Sequence, residues 1–146
     1  MKTLTECVAT SIFCAGLFAV FTAGPAAANV DDVTLAASVS GSTVTTTITN
    51  ATEEGVVCGV VGLDAVDDVT NPESVAIFRA ANEDIGPGSR DFVFADVPDG
   101  DYLVHWICRD NDGPEEGVWG SSPLPEAAYA LTATAQPLPL RVSTET

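Results

Sequence analysis

Along most of this chain, apolar positions alternate with polar ones over five to nine residues, then stop at clusters of Gly, Asp, Asn and Pro. Helical periodicity is nearly absent. Period-two runs at this spacing predict an all-β sandwich. The expected strands are 32–39, 43–49, 56–63, 75–79, 90–97 and 102–108, with another opening at Val118-Trp119. The threonines of Thr43-Val-Thr-Thr-Thr-Ile-Thr49 suit a half-exposed pleat. Val56 to Leu63 is apolar on both faces and therefore belongs in the centre of a sheet. Between the strands, 50–55 reads as a turn, 64–74 as a polar connection, 80–89 as a loop around Gly86-Pro87-Gly88, and 98–101 as a tight turn. Residues 127–135 read as a last strand or a short alanine-rich helix, and Pro137 and Pro139 as an extended tail.

The N-terminus departs from this pattern. Met1 to Thr10 holds one lysine, an apolar run follows to Phe21, and Ala26-Ala-Ala28 closes the segment with small residues. These are the three regions of a secretory signal, so residues 1–28 are expected to be removed and 29–146 to form one domain. Pro25 ends the apolar run before the ~20 residues that a membrane span needs. Cys14 lies inside the apolar run, behind Phe13 and Ser11, which does not suit lipid attachment. The product is expected to be released outside the cell or held at the exterior of its envelope, with no membrane association after cleavage.

Charge narrows the choice of partners. The chain has 5 Lys and Arg against 21 Asp and Glu, a formal charge of −16. Its one lysine, Lys2, leaves with the signal, so the basic residues remaining are Arg79, Arg90, Arg109 and Arg141. Such a chain repels nucleic acid and anionic lipid and favours a cationic partner, if it has one. Solubility alone also accounts for acids spread over loops.

Loss of Cys7 and Cys14 with the signal leaves Cys58 and Cys108, one in each of two apolar strands. An even count in an oxidising compartment predicts a single disulfide. It would close about 50 residues and contribute on the order of 4 kcal/mol.

The stretch Phe92-Val-Phe-Ala-Asp-Val-Pro-Asp-Gly-Asp-Tyr-Leu-Val-His-Trp106 resembles a hairpin of fibronectin type III, transthyretin-like and bacterial immunoglobulin-like modules. There an aromatic strand leads through a Pro-x-Gly turn to a tyrosine. The chain as a whole resembles small exported actinobacterial proteins of unassigned function. The resemblance implies an all-β, immunoglobulin-like antiparallel β-sandwich of about seven strands with one disulfide. It also implies that Tyr102 tucks over the corner, with Val97, Val104 and Trp106 in the core. In such a sandwich the third and sixth strands are antiparallel neighbours, so the bridge would sit within one sheet, among Val56, Val60, Val104 and Trp106. True immunoglobulin domains instead join the two sheets through the second and sixth strands.

Candidate chemistry is sparse. Asp110, Asp112 and Glu115, with Asn111 and Glu116, offer hard oxygen ligands on a turn, a weak candidate for calcium, but the EF-hand frame would put Cys108 at its first position. An acidic turn chosen for backbone reasons accounts for the same residues, so no cofactor or metal is expected. His105 is the single histidine and reads as a surface or interface residue; with Trp119 and Tyr129 it could form an aromatic patch. Asp99 and Asp101 flank one turn too closely for opposed acid–base roles. Asn50-Ala-Thr52 is a glycosylation sequon. No catalytic motif is present, so the chain is expected not to be an enzyme. The expectation is a non-catalytic exported binding or structural module for an unidentified protein or small ligand. The alternative is a secreted carrier or inhibitor that sequesters a cationic ligand or protein.

Overall fold

The computed structural model describes residues 29–66, 75–112, 117–121 and 133–145. Among them are nine strands: β1 Val33–Ser40, β2 Thr43–Asn50, β3 Val56–Asp64, β4 Phe78–Ile85, β5 Gly88–Phe94, β6 Gly100–Asp110, β7 Val118–Ser121, β8 Ala133–Ala135 and β9 Leu138–Val142. The first sheet runs β1-β2-β5. The second runs β4-β3-β6-β7-β8, with β9 also pairing β6. The expected all-β sandwich is the observed architecture, and β3 sits inside its sheet as its two apolar faces require. Pairing is antiparallel except between β7 and β8, which run parallel.

The core lies between the sheets. Val44 and Ile48 from β2, Val56, Cys58 and Val60 from β3, and Tyr102, Val104, Trp106 and Cys108 from β6 all point into it. Alternation along β6 is as the sequence predicts, with the even-numbered residues inward. Phe78 packs on Phe94 with ring centroids 4.8 Å apart, and meets Tyr102 edge-on at 6.1 Å. Gly62, paired with Phe78, leaves the room that this ring occupies, since a Cβ there would collide with it. Thr46 also faces the core, fully buried, and its Oγ1 has no hydrogen-bond partner among the described residues. A buried hydroxyl without a partner keeps its desolvation cost. Thr46→Val should therefore raise stability, by about 1 kcal/mol, and chemical denaturation measures it; a loss of stability would mean that the hydroxyl is bonded.

Four expectations need correction. Residues 80–85 are not loop: β4 begins at Phe78 and runs to Ile85, beside β3. The polar residues there read as loop because β4 is an edge strand with an exposed outer face, and it holds a bulge. Cys58 pairs with Glu83 and Val60 with Ala80, so β4 spends an extra residue, and Asn82 takes a φ of 55°. Next, the turn at 98–101 does not close a hairpin, because β5 and β6 lie in different sheets. Residues 94–100 carry the chain from the first sheet to the second, with Asp96 at φ 56° and the Val97 N–H donating to the Ser42 carbonyl at 2.9 Å. Then the tail is not merely extended: β9 pairs with Gly100 to Val104 of β6 and buries Val142. Prolines are tolerated at such an edge because the outward side needs no donor. Last, His105 is not at the surface; it is 1 % exposed.

Candidate functional site

The bridge organises one end of the second sheet. Cys58 and Cys108 face each other in the β3–β6 register and are joined, Cα to Cα 4.1 Å, with both side chains in the core. This is the within-sheet bridge that the strand order predicts.

Just beyond it lie the acids. Val56 pairs with Asp110, and two more steps in the same register bring Glu54 opposite Asp112. Glu54, Asp110 and Asp112 bring carboxylate oxygens within 4.8 Å of one another. The sequence suggested Asp110 and Asp112 but missed Glu54, because that acid lies on the turn before β3. The signal was present: the Cys58–Cys108 pairing fixes the register that carries Glu54 there. Glu115 lies outside the described residues. Asp110 is largely buried, and its Oδ1 accepts the Asp112 N–H at 3.0 Å. Its own N–H donates to the Gly117 carbonyl at 3.0 Å, and that of Asn111 to the Gly55 carbonyl at 3.1 Å. Asp110 thus shapes its own turn, the role expected of Asp for backbone reasons.

Three carboxylates at this spacing offer the hard oxygen ligands that suit a divalent cation. Without one they repel, and added salt should raise stability by screening, with no further response to calcium at equal ionic strength. Matched thermal melts check this. A bound calcium would instead add about 2.7 kcal/mol at a hundredfold excess over its dissociation constant. A rise of several degrees specific to calcium and abolished by Asp112→Ala is the contrary result.

His105 and Trp119 do not form a patch. Trp119 pairs with Cys108, faces the core, and donates its Nε1–H to the Asn29 carbonyl at 2.9 Å. His105 lies on the opposite face of the sheet. Tyr129 is outside the described residues. The His105 Nδ1 is 3.4 Å from the Ser121 Oγ, which also accepts the Trp106 N–H at 3.0 Å. Ser121 ends β7 and fills the ladder position between the stretches of β6 held by β7 and by β9. Leu63 and Val118 share the outer face with His105 and are equally buried, a second apolar layer outside the inter-sheet core.

The remaining polar candidates hold the corners. Asn50 is 2 % exposed; its Nδ2 donates to the Glu54 carbonyl at 2.7 Å and the Ile85 carbonyl at 3.3 Å, and its Oδ1 accepts from Thr52. A sequon asparagine so placed is no acceptor for a glycan once folded. Asp99 accepts from the Thr144 N–H and hydroxyl at 3.1 and 3.0 Å, and Asp101 sits 3.8 Å from Arg141. Both acids anchor the segment around β9 and its end.

Tyr102 donates its hydroxyl to the Pro98 carbonyl at 2.7 Å, over the corner between the sheets. Burial raises its pKa above the usual 10.0, and Asp64 and Asp99 add to the rise. A raised folded-state value stabilises below the unfolded pKa and ceases to do so as pH climbs through the folded one. Stability should therefore fall from about pH 10 upward, and more steeply than in Tyr102→Phe. Denaturation midpoints across that range check it; identical slopes would contradict it.

No protein-family model matches the chain, and no curated protein matches it in sequence.

Proposed function

We propose that this protein is an exported, non-catalytic immunoglobulin-like module that binds at the cell exterior or helps build it. One observation carries the reading. The buried polar side chains Asn50, Tyr102, Asp110 and Ser121 each bond to backbone and hold a turn, a corner or a strand end. Among the described residues these four groups serve the fold, which supports a non-catalytic reading. A three-stranded sheet facing one that contains the paired third and sixth strands, with a tyrosine closing the corner before the sixth, supports the immunoglobulin-like reading. A disulfide in the core supports a place outside the cytoplasm.

The acidic trio, on a chain of charge −16, favours one second reading: a secreted carrier or inhibitor for a cationic ligand or protein. Cosedimentation with washed cell envelopes separates the two at salt concentrations of about 0.15 M and about 1 M. Retention at both supports an exterior module. Retention lost at high salt supports capture of a cation. No retention at either overturns the exterior module.

A further inference from the structure

Asn29 is held in place before β1 begins. Its carbonyl accepts the Asp32 N–H at 3.0 Å and, from the second sheet, the Trp119 Nε1–H at 2.9 Å. Its Oδ1 accepts the Asp31 N–H at 3.3 Å. Asp32 is fixed in turn: its carbonyl accepts the Ala51 N–H at 2.7 Å from just beyond β2, and fully buried Val33 follows it. Within this turn the backbone N–H of Asn29 donates to the Asp32 Oδ2 at 2.7 Å. A backbone nitrogen and a carboxylate therefore meet at the bond that the sequence marks for cleavage, between Ala28 and Asn29.

We propose, resting on the reading of an exported protein cut between Ala28 and Asn29, that signal removal converts this hydrogen bond into an ion pair that locks the mature N-terminus onto Asp32. Hydrolysis consumes one water. The water oxygen stays on the Ala28 carboxylate, and both its protons go to the Asn29 nitrogen, which becomes an ammonium. A bond between two ionised groups is roughly twice as strong as a neutral one.

Exposed ion pairs are usually weak because two long side chains must be held in one geometry. Neither partner here is long. The nitrogen belongs to the backbone and is anchored through its own carbonyl and side chain, so little freedom remains to be lost. The nearby acids act in the same direction: Asp31 lies on the same turn, and Glu53 and Glu54 follow Ala51. β7, which brings Trp119, and β8 beside it carry no charged residue. Arg109 pairs with Val118 and lies on the face of the sheet opposite Trp119. β9, which packs beside β1, carries Arg141, exposed and 3.8 Å from Asp101.

Two chains released from a cleavable fusion test the lock, one starting at Asn29 and one at Ala27. The longer chain keeps the Asn29 N–H and its bond to Asp32 but moves the ammonium away by roughly 7 Å, at ~3.5 Å per residue. An α-ammonium ordinarily titrates at about 7.7–8.0. In the Asn29 chain its pKa, followed by NMR or by pH-dependent labelling, should be raised by about half a unit or more. It should return to the ordinary range in the Ala27 chain and in Asp32→Asn, which keeps an oxygen acceptor. A raised folded-state pKa stabilises below the unfolded value and ceases to do so as pH climbs through the folded one. The Asn29 chain should therefore melt about 2–4 °C above the Ala27 chain at pH 6, and the gap should close by about pH 10. If Asp32→Asn fails to fold, the Ala27 chain, which keeps every side chain, decides. An ordinary pKa in the Asn29 chain, no gap at pH 6, or a gap that persists at pH 10 overturns the lock and leaves the cleavage untouched. N-terminal sequencing of the exported protein tests the cleavage by itself: a start other than Asn29 overturns both.

Discussion

Replacing Cys58 and Cys108 together by alanine is expected to cost the fold about 4 kcal/mol. The bridge spans 50 positions, and chain-entropy arguments give it roughly that worth. Both side chains lie in the core beside Val56, Val60, Val104 and Trp106, so the change also leaves space that the sheets must close over. Against a net stability of about 5 to 15 kcal/mol, the loss is a large fraction. The melting temperature should fall on the order of 15 °C. A drop of only a degree or two would mean that the bridge adds little to a sandwich already held by its ladders.

Removing residues 137–146 should be nearly as damaging. β9 looks dispensable by position, yet it covers one side of the N-terminal half of β6. Val142 is fully buried, and Leu138 and Leu140 pack against the core. At about 1.5 to 3 kcal/mol for one fully buried aliphatic side chain, and less for the two half-buried leucines, roughly 4 kcal/mol is lost before backbone pairing is counted. The truncated chain also bares the edge of β6 from Gly100 to Val104. We expect it to melt at least 10 °C lower and to aggregate at its free strand. A truncated chain as stable and soluble as the whole would show that β9 is not part of the folded unit.

The same two regions mark what was legible in the sequence. Period-two alternation placed β1, β2, β3 and β6 within a residue or two, because each buries one face or two and the buried residues are β-branched or aromatic. The cysteine count and the strand order gave the bridge. β9 was hidden because its signal is Leu138, Leu140 and Val142 interrupted by Pro139, and proline argues against a strand unless the edge is known to face outward. β4 was hidden by Asn82, Glu83 and Asp84, exposed or half-exposed on an edge. His105 misled for a related reason. Its neighbours Leu103 and Ile107 do lie on the outer face, but Leu63 and Val118 make that face apolar and bury the ring's surroundings. Of the acidic site, the local pair Asp110 and Asp112 was legible. Glu54 needed a long-range register, which local patterns do not carry.

The disulfide-stapled sandwich is proposed to work outside the cytoplasm. The most direct test is the intact mass of the protein recovered from outside its cell, before and after reduction. We expect a chain that begins at Asn29 and gains two hydrogens on reduction, as a single Cys58–Cys108 bridge requires. A chain that retains Met1, or whose mass is unchanged by reductant because both thiols are already free, would contradict it.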